Sequence, residues 1–245
     1  MAKITVIGIG PGSLEDMTPC ARRAIDSADV VAGYNTYINL VRDIIKNKEV
    51  IGTGMMQEVD RCHMAVESAR AGKDTVVISS GDSGIYGMAG LVLEMLLKIE
   101  KDNRPDFEVI AGLSAINAAA AILGAPLMHD FAVISLSNLL TPWDTIKKRV
   151  EMAAEGDFVT ALYNPKSKKR IKNIEEVREI MLKYRSPDTP VGIVSNASRE
   201  KEQKVISTLN DFTKEEINMF SLVIIGNSHT YVNDGYMITP RGYDI

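Results

Sequence analysis

The chain has 245 residues, enough for one large domain or two modest ones, each able to bury an apolar core. With 45% hydrophobic and 24% charged residues, no apolar run long enough to span a bilayer and no secretory leader, it reads as a cytoplasmic protein with no membrane partner. A net charge of −4 gives no global attraction to nucleic acid, and two cysteines and three scattered histidines supply neither a disulfide framework nor paired metal ligands, so no metal site is expected.

Short Val- and Ile-rich runs alternate with longer amphipathic stretches along the chain. The first series predicts strands at 3–9, 29–32, 50–52, 75–79 and 107–110, with helices at 15–28, 64–72 and 88–102 between them. A small-residue helix at 114–124 follows. The second series predicts strands at 131–135, 158–163, 191–195, 222–225 and 236–239, with helices at 143–156 and 174–185; the stretch 200–209 fits either strand or helix. This alternation indicates an α/β fold with parallel or mixed sheets flanked by helices. Two groups of about five strands suggest an N-terminal domain at 1–113 and a C-terminal domain at 114–245.

Five predicted strands end in glycine or small polar residues, at 10–13, 79–84, 112–114, 164–167 and 196–198. Any one of these could be a simple tight turn, but ligands of open α/β sheets gather beyond the carboxyl ends of strands, and five such loops together suggest a site. The first, "VIGIGPGS", begins like a dinucleotide fingerprint with Gly8 and Gly10 and then departs from it. Ser13 stands where the third glycine belongs, Pro11 removes an amide, and no acidic residue ends the second strand. No lysine follows, as a nucleoside triphosphate loop requires. The turn therefore favours a ligand without a pyrophosphate.

In "SSGDSGIYG" three glycines permit close backbone approach, and Asp82 can serve a ligand or cap the following helix, where the dipole stabilises a carboxylate by about 0.3–1 kcal/mol. His129 and Asp130 are adjacent, but neighbouring strand positions point to opposite faces, which argues against a dyad. In "ALYNPKSKKR" the basic run is read as a helix start, where positive charge opposes the dipole; Lys166, Lys168, Lys169 and Arg170 thus suit either an anionic ligand or a solvated loop. Arg199 suits a carboxylate of substrate or of a neighbouring glutamate. No nucleophile elbow, kinase set or zincin motif occurs.

Together "VIGIGPG", "GDSGIYG", "GLSAINAAAAILGAPLMHDFAVISLSNLLTPW", "ALYNPKSKKR", "VSNASREKE" and "TPRGY" resemble the tetrapyrrole methylase family across essentially the whole chain. The resemblance is closest to the branch of cobalamin biosynthesis that methylates C-17 of precorrin-3B or its cobalt counterpart and contracts the ring. It implies two α/β domains with the active site in a trough between them, a homodimer, S-adenosylmethionine as methyl donor and a tetrapyrrole substrate. Matching positions imply cofactor contacts at Pro11, Ser80, Gly81, Asp82, Ile85, Tyr86, Ser114, Ala115, Tyr163, Asn164, Asn196, Ala197 and Pro240. One departure is Ser83, where the family usually carries proline. Substrate carboxylates give Lys166, Lys168, Arg170 and Arg199 a purpose, and Asp82, His129, Asp130 and Tyr34 are the candidates for moving protons during ring contraction. The alternatives are another methylase of the same fold or, from a different class, a nucleotide-binding oxidoreductase or binding module.

Overall fold

The structure is a computed structural model that describes residues 2–167 and 170–244. The chain divides into two compact units, Met1–Ala115 and Ile116–Ile245.

The first unit is a five-stranded sheet in the order β3-β2-β4-β1-β5, built from β1 (Lys3–Gly8), β2 (Val30–Tyr34), β3 (Glu49–Thr53), β4 (Thr75–Ser79) and β5 (Asp106–Ile110). Every pair is parallel, so all the carboxyl ends lie on one edge. The central strands are apolar on both faces because helices cover both. On one side α1 (Pro19–Ser27) and α2 (Asn35–Leu40) pack through Ala21, Ile25 and Ile38 on Ile7, Val31 and Ile78. On the other, α3 (Glu58–Arg70) and α4 (Ala89–Leu97) pack through Ala65, Val66, Val92 and Leu96 on Ile4, Val6 and Val77. Helix α1 starts where Thr18 accepts a hydrogen bond from the Ala21 amide at 3.1 Å, followed at once by Pro19, whose fixed φ and missing donor suit a first turn.

The second unit opens with α5 (Ala115–Leu123), whose first residue lies at the junction, and β6 (Gly124–Ala125). Its main sheet has the order β10-β9-β11-β8-β7, formed by β7 (Phe131–Ser135), β8 (Val159–Tyr163), β9 (Pro190–Ser195), β10 (Gln203–Thr208) and β11 (Ser221–Ile225). Only the β7–β8 pair is parallel; the other three are antiparallel. Alternation along β11 assigns the faces: Val223 and Ile225 join α6 (Trp143–Glu155) and α7 (Asn173–Met181), while Leu222 and Ile224 join α5. The ambiguous stretch 200–209 is β10, paired antiparallel with β9. A small sheet, β12 (Tyr231–Asn233), β13 (Tyr236–Ile238) and β6, returns the chain end toward α5 through Met237.

Among the described residues no helix is long and apolar enough to cross a membrane.

Candidate active site

In the first unit the loops after β4, β1 and β5 meet because their strands are neighbours. The Gly10 amide donates to the Gly81 carbonyl at 3.2 Å and the Gly81 amide to the Gly10 carbonyl at 2.8 Å, so the first two loops form a miniature ladder. Gly8 lies back to back with the third loop: a Cβ there would sit 2.8 Å from the Gly112 backbone and collide with the Gly81 carbonyl. Gly10 itself has φ +80°, a conformation that a side chain resists.

Asp82 ties this arrangement together. One carboxylate oxygen accepts the Gly84 amide at 2.8 Å and the other accepts the Gly112 amide at 2.9 Å, across 30 residues of sequence. It is thus neither a helix cap nor an unoccupied base, since both oxygens already bind backbone donors. The amides of Gly10, Gly81 and Gly112 are consumed in joining loops to one another, and that of Gly84 in binding Asp82 within its own loop. A dinucleotide site would need such amides aimed at a pyrophosphate.

The rest of the segment presents Ile85, 40% exposed, and Tyr86, 54% exposed and held at φ +55°. Pro11 and Ser114 are buried beside it, and Ser80 and Ala115 are partly buried. Ser83, at the family's proline position, is fully buried with its hydroxyl 3.5 Å from the Val6 carbonyl, the outer limit of a hydrogen bond. Tyr34 ends β2 on the same carboxyl edge, its ring edge-on to Tyr37 at 5.2 Å.

In the second unit Tyr163, at the end of β8, accepts the Ile116 amide on its hydroxyl at 3.0 Å, thereby capping the first turn of α5. Asn164 follows at φ +51°, and its side-chain amide donates to the Ser135 hydroxyl at 3.0 Å at the end of β7. The Asn196 loop is similar: Asn196 and Ser198 have φ +53° and +58°, and the Ser198 amide donates to Glu202 at 2.7 Å. Ala197 is partly buried there. Tyr86, Asn164, Asn196 and Ser198 are four of the seven described non-glycine residues with positive φ, a concentration of backbone strain in the predicted ligand loops. Pro240 is exposed just beyond Thr239, whose amide donates to Ala125 at 3.1 Å.

The structure revises the reading of the basic run as the start of a helix. The basic run is not a helix start: Ser167 and Arg170 pair with each other, and α7 begins only at Asn173, with Glu175 and Glu176 in its first turn. The dipole argument therefore does not apply to it. The Arg170 guanidinium donates to the Leu136 carbonyl at 2.8 Å and the Asn164 carbonyl at 3.1 Å, which makes it a staple between loops; burial lowers its pKa. Lys166 is partly exposed, and Lys168 and Lys169 lie outside the described residues.

His129 and Asp130 precede β7, at its amino end, whereas Tyr163 and Asn164 lie at the carboxyl end of its parallel partner β8. Five strand residues, roughly 16 Å, separate the two ends. The His129 ring nitrogen accepts the Asp130 amide at 2.9 Å, and both side chains are exposed. Arg199 packs its guanidinium 5.8 Å from the Phe220 ring centre.

Outside the glycine motifs lies Arg61 on α3, 3% exposed, whose guanidinium donates to Thr53 and to the Met88 sulfur at the carboxyl edge of the first sheet. The signal was present: Arg61 occupies the stripe of Cys62, Ala65, Val66 and Ala69 that α3 buries.

Residues 3–213 match the family Tetrapyrrole (Corrin/Porphyrin) Methylases. A Priestia megaterium protein named cobalt-factor III methyltransferase is 53% identical over 98% of this chain, which spans only 45% of that longer protein. A Salmonella typhimurium protein named probable cobalt-factor III C(17)-methyltransferase is 51% identical over 99% of this chain and 100% of its own length. The crystal structure of the methyltransferase CobJ superposes with a TM-score of 0.91 and 33% identity, covering 98% of this chain and 100% of its own. The glycine cradle and the fold thus stand together with sequence similarity along nearly the whole chain, and the protein belongs to the tetrapyrrole methylase family.

Proposed function

We propose that this chain is an S-adenosylmethionine-dependent C-methyltransferase that methylates C-17 of cobalt-factor III and contracts its ring, in cobalamin biosynthesis. The observation that carries the reading is the cradle whose glycine amides are spent on one another and on Asp82. Such a wall suits a nucleoside linked through a sulfonium sulfur better than a pyrophosphate. The relatives' names supply the substrate and the position on the macrocycle.

When bound, S-adenosylmethionine supplies an activated sulfonium methyl, whose transfer leaves the bonding pair on sulfur. The protein's part is then to hold an electron-rich ring carbon in line and exclude water, work that needs no strong side-chain nucleophile. Asp82 serves by fixing the 80–87 segment against Gly112, and Tyr163 and Asn164 by fixing the ends of β7, β8 and α5. Lys166, Lys168 and Arg199 are proposed to meet the carboxylates of the macrocycle, with Arg170 joining the Leu136 and Asn164 carbonyls. Tyr34 is proposed to handle the proton of ring contraction, because it stands at the carboxyl edge of β2 while Asp82 is committed to amides and His129 and Asp130 stand at the amino end of β7. The resemblance further supports a homodimer in the cytoplasm, checked by light scattering and fractionation.

Calorimetry with S-adenosylhomocysteine and with NADH tests the ligand class. Binding of the former alone is expected; binding of NADH alone would overturn the reading in favour of an oxidoreductase.

A further inference from the structure

Two buried arginines, one in each unit, differ in how their charge is met. Arg185 donates to the carbonyls of Gly226 and of Ala153, the latter at 3.1 Å, and lies 3.8 Å from the Asp157 carboxylate. Arg61 has one hydroxyl, Thr53 at 2.5 Å, and one sulfur, Met88 at 3.7 Å. The Nε of each arginine lacks a hydrogen-bond partner, but that of Arg185 lies 3.8 Å from the Asp157 carboxylate, whereas among the described residues Arg61 forms no ion pair. A buried guanidinium with so little compensation is costly.

Its position is informative. Thr53 ends β3, and Met88 closes the 80–87 segment, its own amide donating to the Ser79 hydroxyl at 3.3 Å. Arg61 thus lies at the carboxyl edge of a parallel sheet, where ligands of such sheets bind. The two flanking loops each carry a non-glycine residue in left-handed conformation, Met56 at φ +64° and Tyr86 at φ +55°, a kind of strain that clusters at ligand-binding sites.

We propose that Arg61 anchors a carboxylate of the bound ligand, either the methionyl carboxylate of the cofactor or a peripheral acetate or propionate of the macrocycle; this rests on the methyltransferase reading. A planar fork of donors matches a carboxylate, and the unpartnered Nε is the donor such a ligand would complete.

The test compares wild type, Arg61→Met and, as a structural control, Arg185→Met. Melting temperature is measured without ligand, affinity by calorimetry for S-adenosylhomocysteine and for 5′-methylthioadenosine, which lacks the amino-acid end, and KM for cobalt-factor III. Arg185→Met should melt lower. Arg61→Met, having lost an uncompensated charge among apolar neighbours, should melt at or above wild type while one ligand weakens about 10- to 100-fold. Loss for S-adenosylhomocysteine with methylthioadenosine unaffected identifies the cofactor carboxylate; a raised KM for cobalt-factor III with both nucleosides unaffected identifies the macrocycle. Unchanged affinity for every ligand overturns the proposal, as does a lower melting temperature accompanied by equal losses for all of them. Should Arg61→Met not fold, Arg61→Lys decides: it keeps the charge but not the fork, and is expected to weaken the same ligand about tenfold. Unchanged affinities in that variant overturn the proposal. Wild-type protein that neither binds S-adenosylhomocysteine nor consumes cobalt-factor III would sink the methyltransferase reading itself, whatever the variants do.

Discussion

Replacing Asp82 separates two roles for a carboxylate at this site. If it clamps loops, Asp82→Ala strands the amides of Gly84 and Gly112, which it now accepts at 2.8 and 2.9 Å. A hydrogen bond to a charged group contributes about 1.5–3 kcal/mol where the donor is desolvated and less where it is exposed. Gly84 is exposed and Gly112 partly buried, so the total loss is about 2–4 kcal/mol, or about 4–16 °C in melting temperature for a chain of this size. Asp82→Asn keeps one acceptor and should lose about half as much. Thermal melts, calorimetry with S-adenosylhomocysteine and turnover at saturating cofactor provide the readouts. A clamp predicts that stability and affinity fall together while Asp82→Asn retains kcat within about tenfold; a proton-transfer group is worth about 10²–10⁴ in rate. The clamp is refuted if Asp82→Asn folds and binds as wild type yet loses kcat by that larger factor.

Gly8→Ala should be more damaging than its size suggests, by about 3 kcal/mol or more, because its Cβ meets the backbone of Gly81 and Gly112 rather than movable side chains; melts and S-adenosylhomocysteine binding should both collapse, and wild-type values would contradict the packing. Burial pushes the Cys62 thiol up to about 11 from 9.0, so it stays protonated at pH 8, whereas Cys20 is exposed. One thiol per native chain should alkylate at pH 8 and both after unfolding. Because the folded-state pKa is the higher one, the stability contributed by the neutral Cys62 thiol is complete below pH 9 and is lost as pH rises toward 11, which alkaline melts of a Cys62→Ala variant would show by their flatter pH dependence. Tyr34→Phe should leave S-adenosylhomocysteine affinity unchanged and slow formation of the ring-contracted product about 10²–10⁴-fold; unchanged turnover removes Tyr34 from the chemistry.

Apolar runs were legible in the sequence: 75–79, buried on both faces, and the edge strand 131–135, apolar though only partly buried, are read to the residue. The two-residue β6 and three-residue β12 carry too few residues for a period and exist through their pairing with β13. Helix α2 was missed because "NTYINL" is poor in strong helix formers and is held instead by Ile38 in the core. Within the site, the departures at Pro11 and Ser13 pointed away from a pyrophosphate, but the physical reason, amides consumed by partners 30 or 71 residues distant, is a tertiary fact. The same limit applies to Arg170, whose Nη1 donates to the carbonyls of Leu136 and Asn164, the former 34 residues away.

The most direct test of the central claim is to incubate the protein with cobalt-factor III and S-adenosylmethionine carrying a ¹³C-labelled methyl, and to locate the label by NMR. The account predicts one labelled methyl per macrocycle, bonded to C-17 of a ring-contracted product. A label on any other carbon, or none after cobalt-factor III and cobalt-free precorrin-3B have both been supplied, would contradict it.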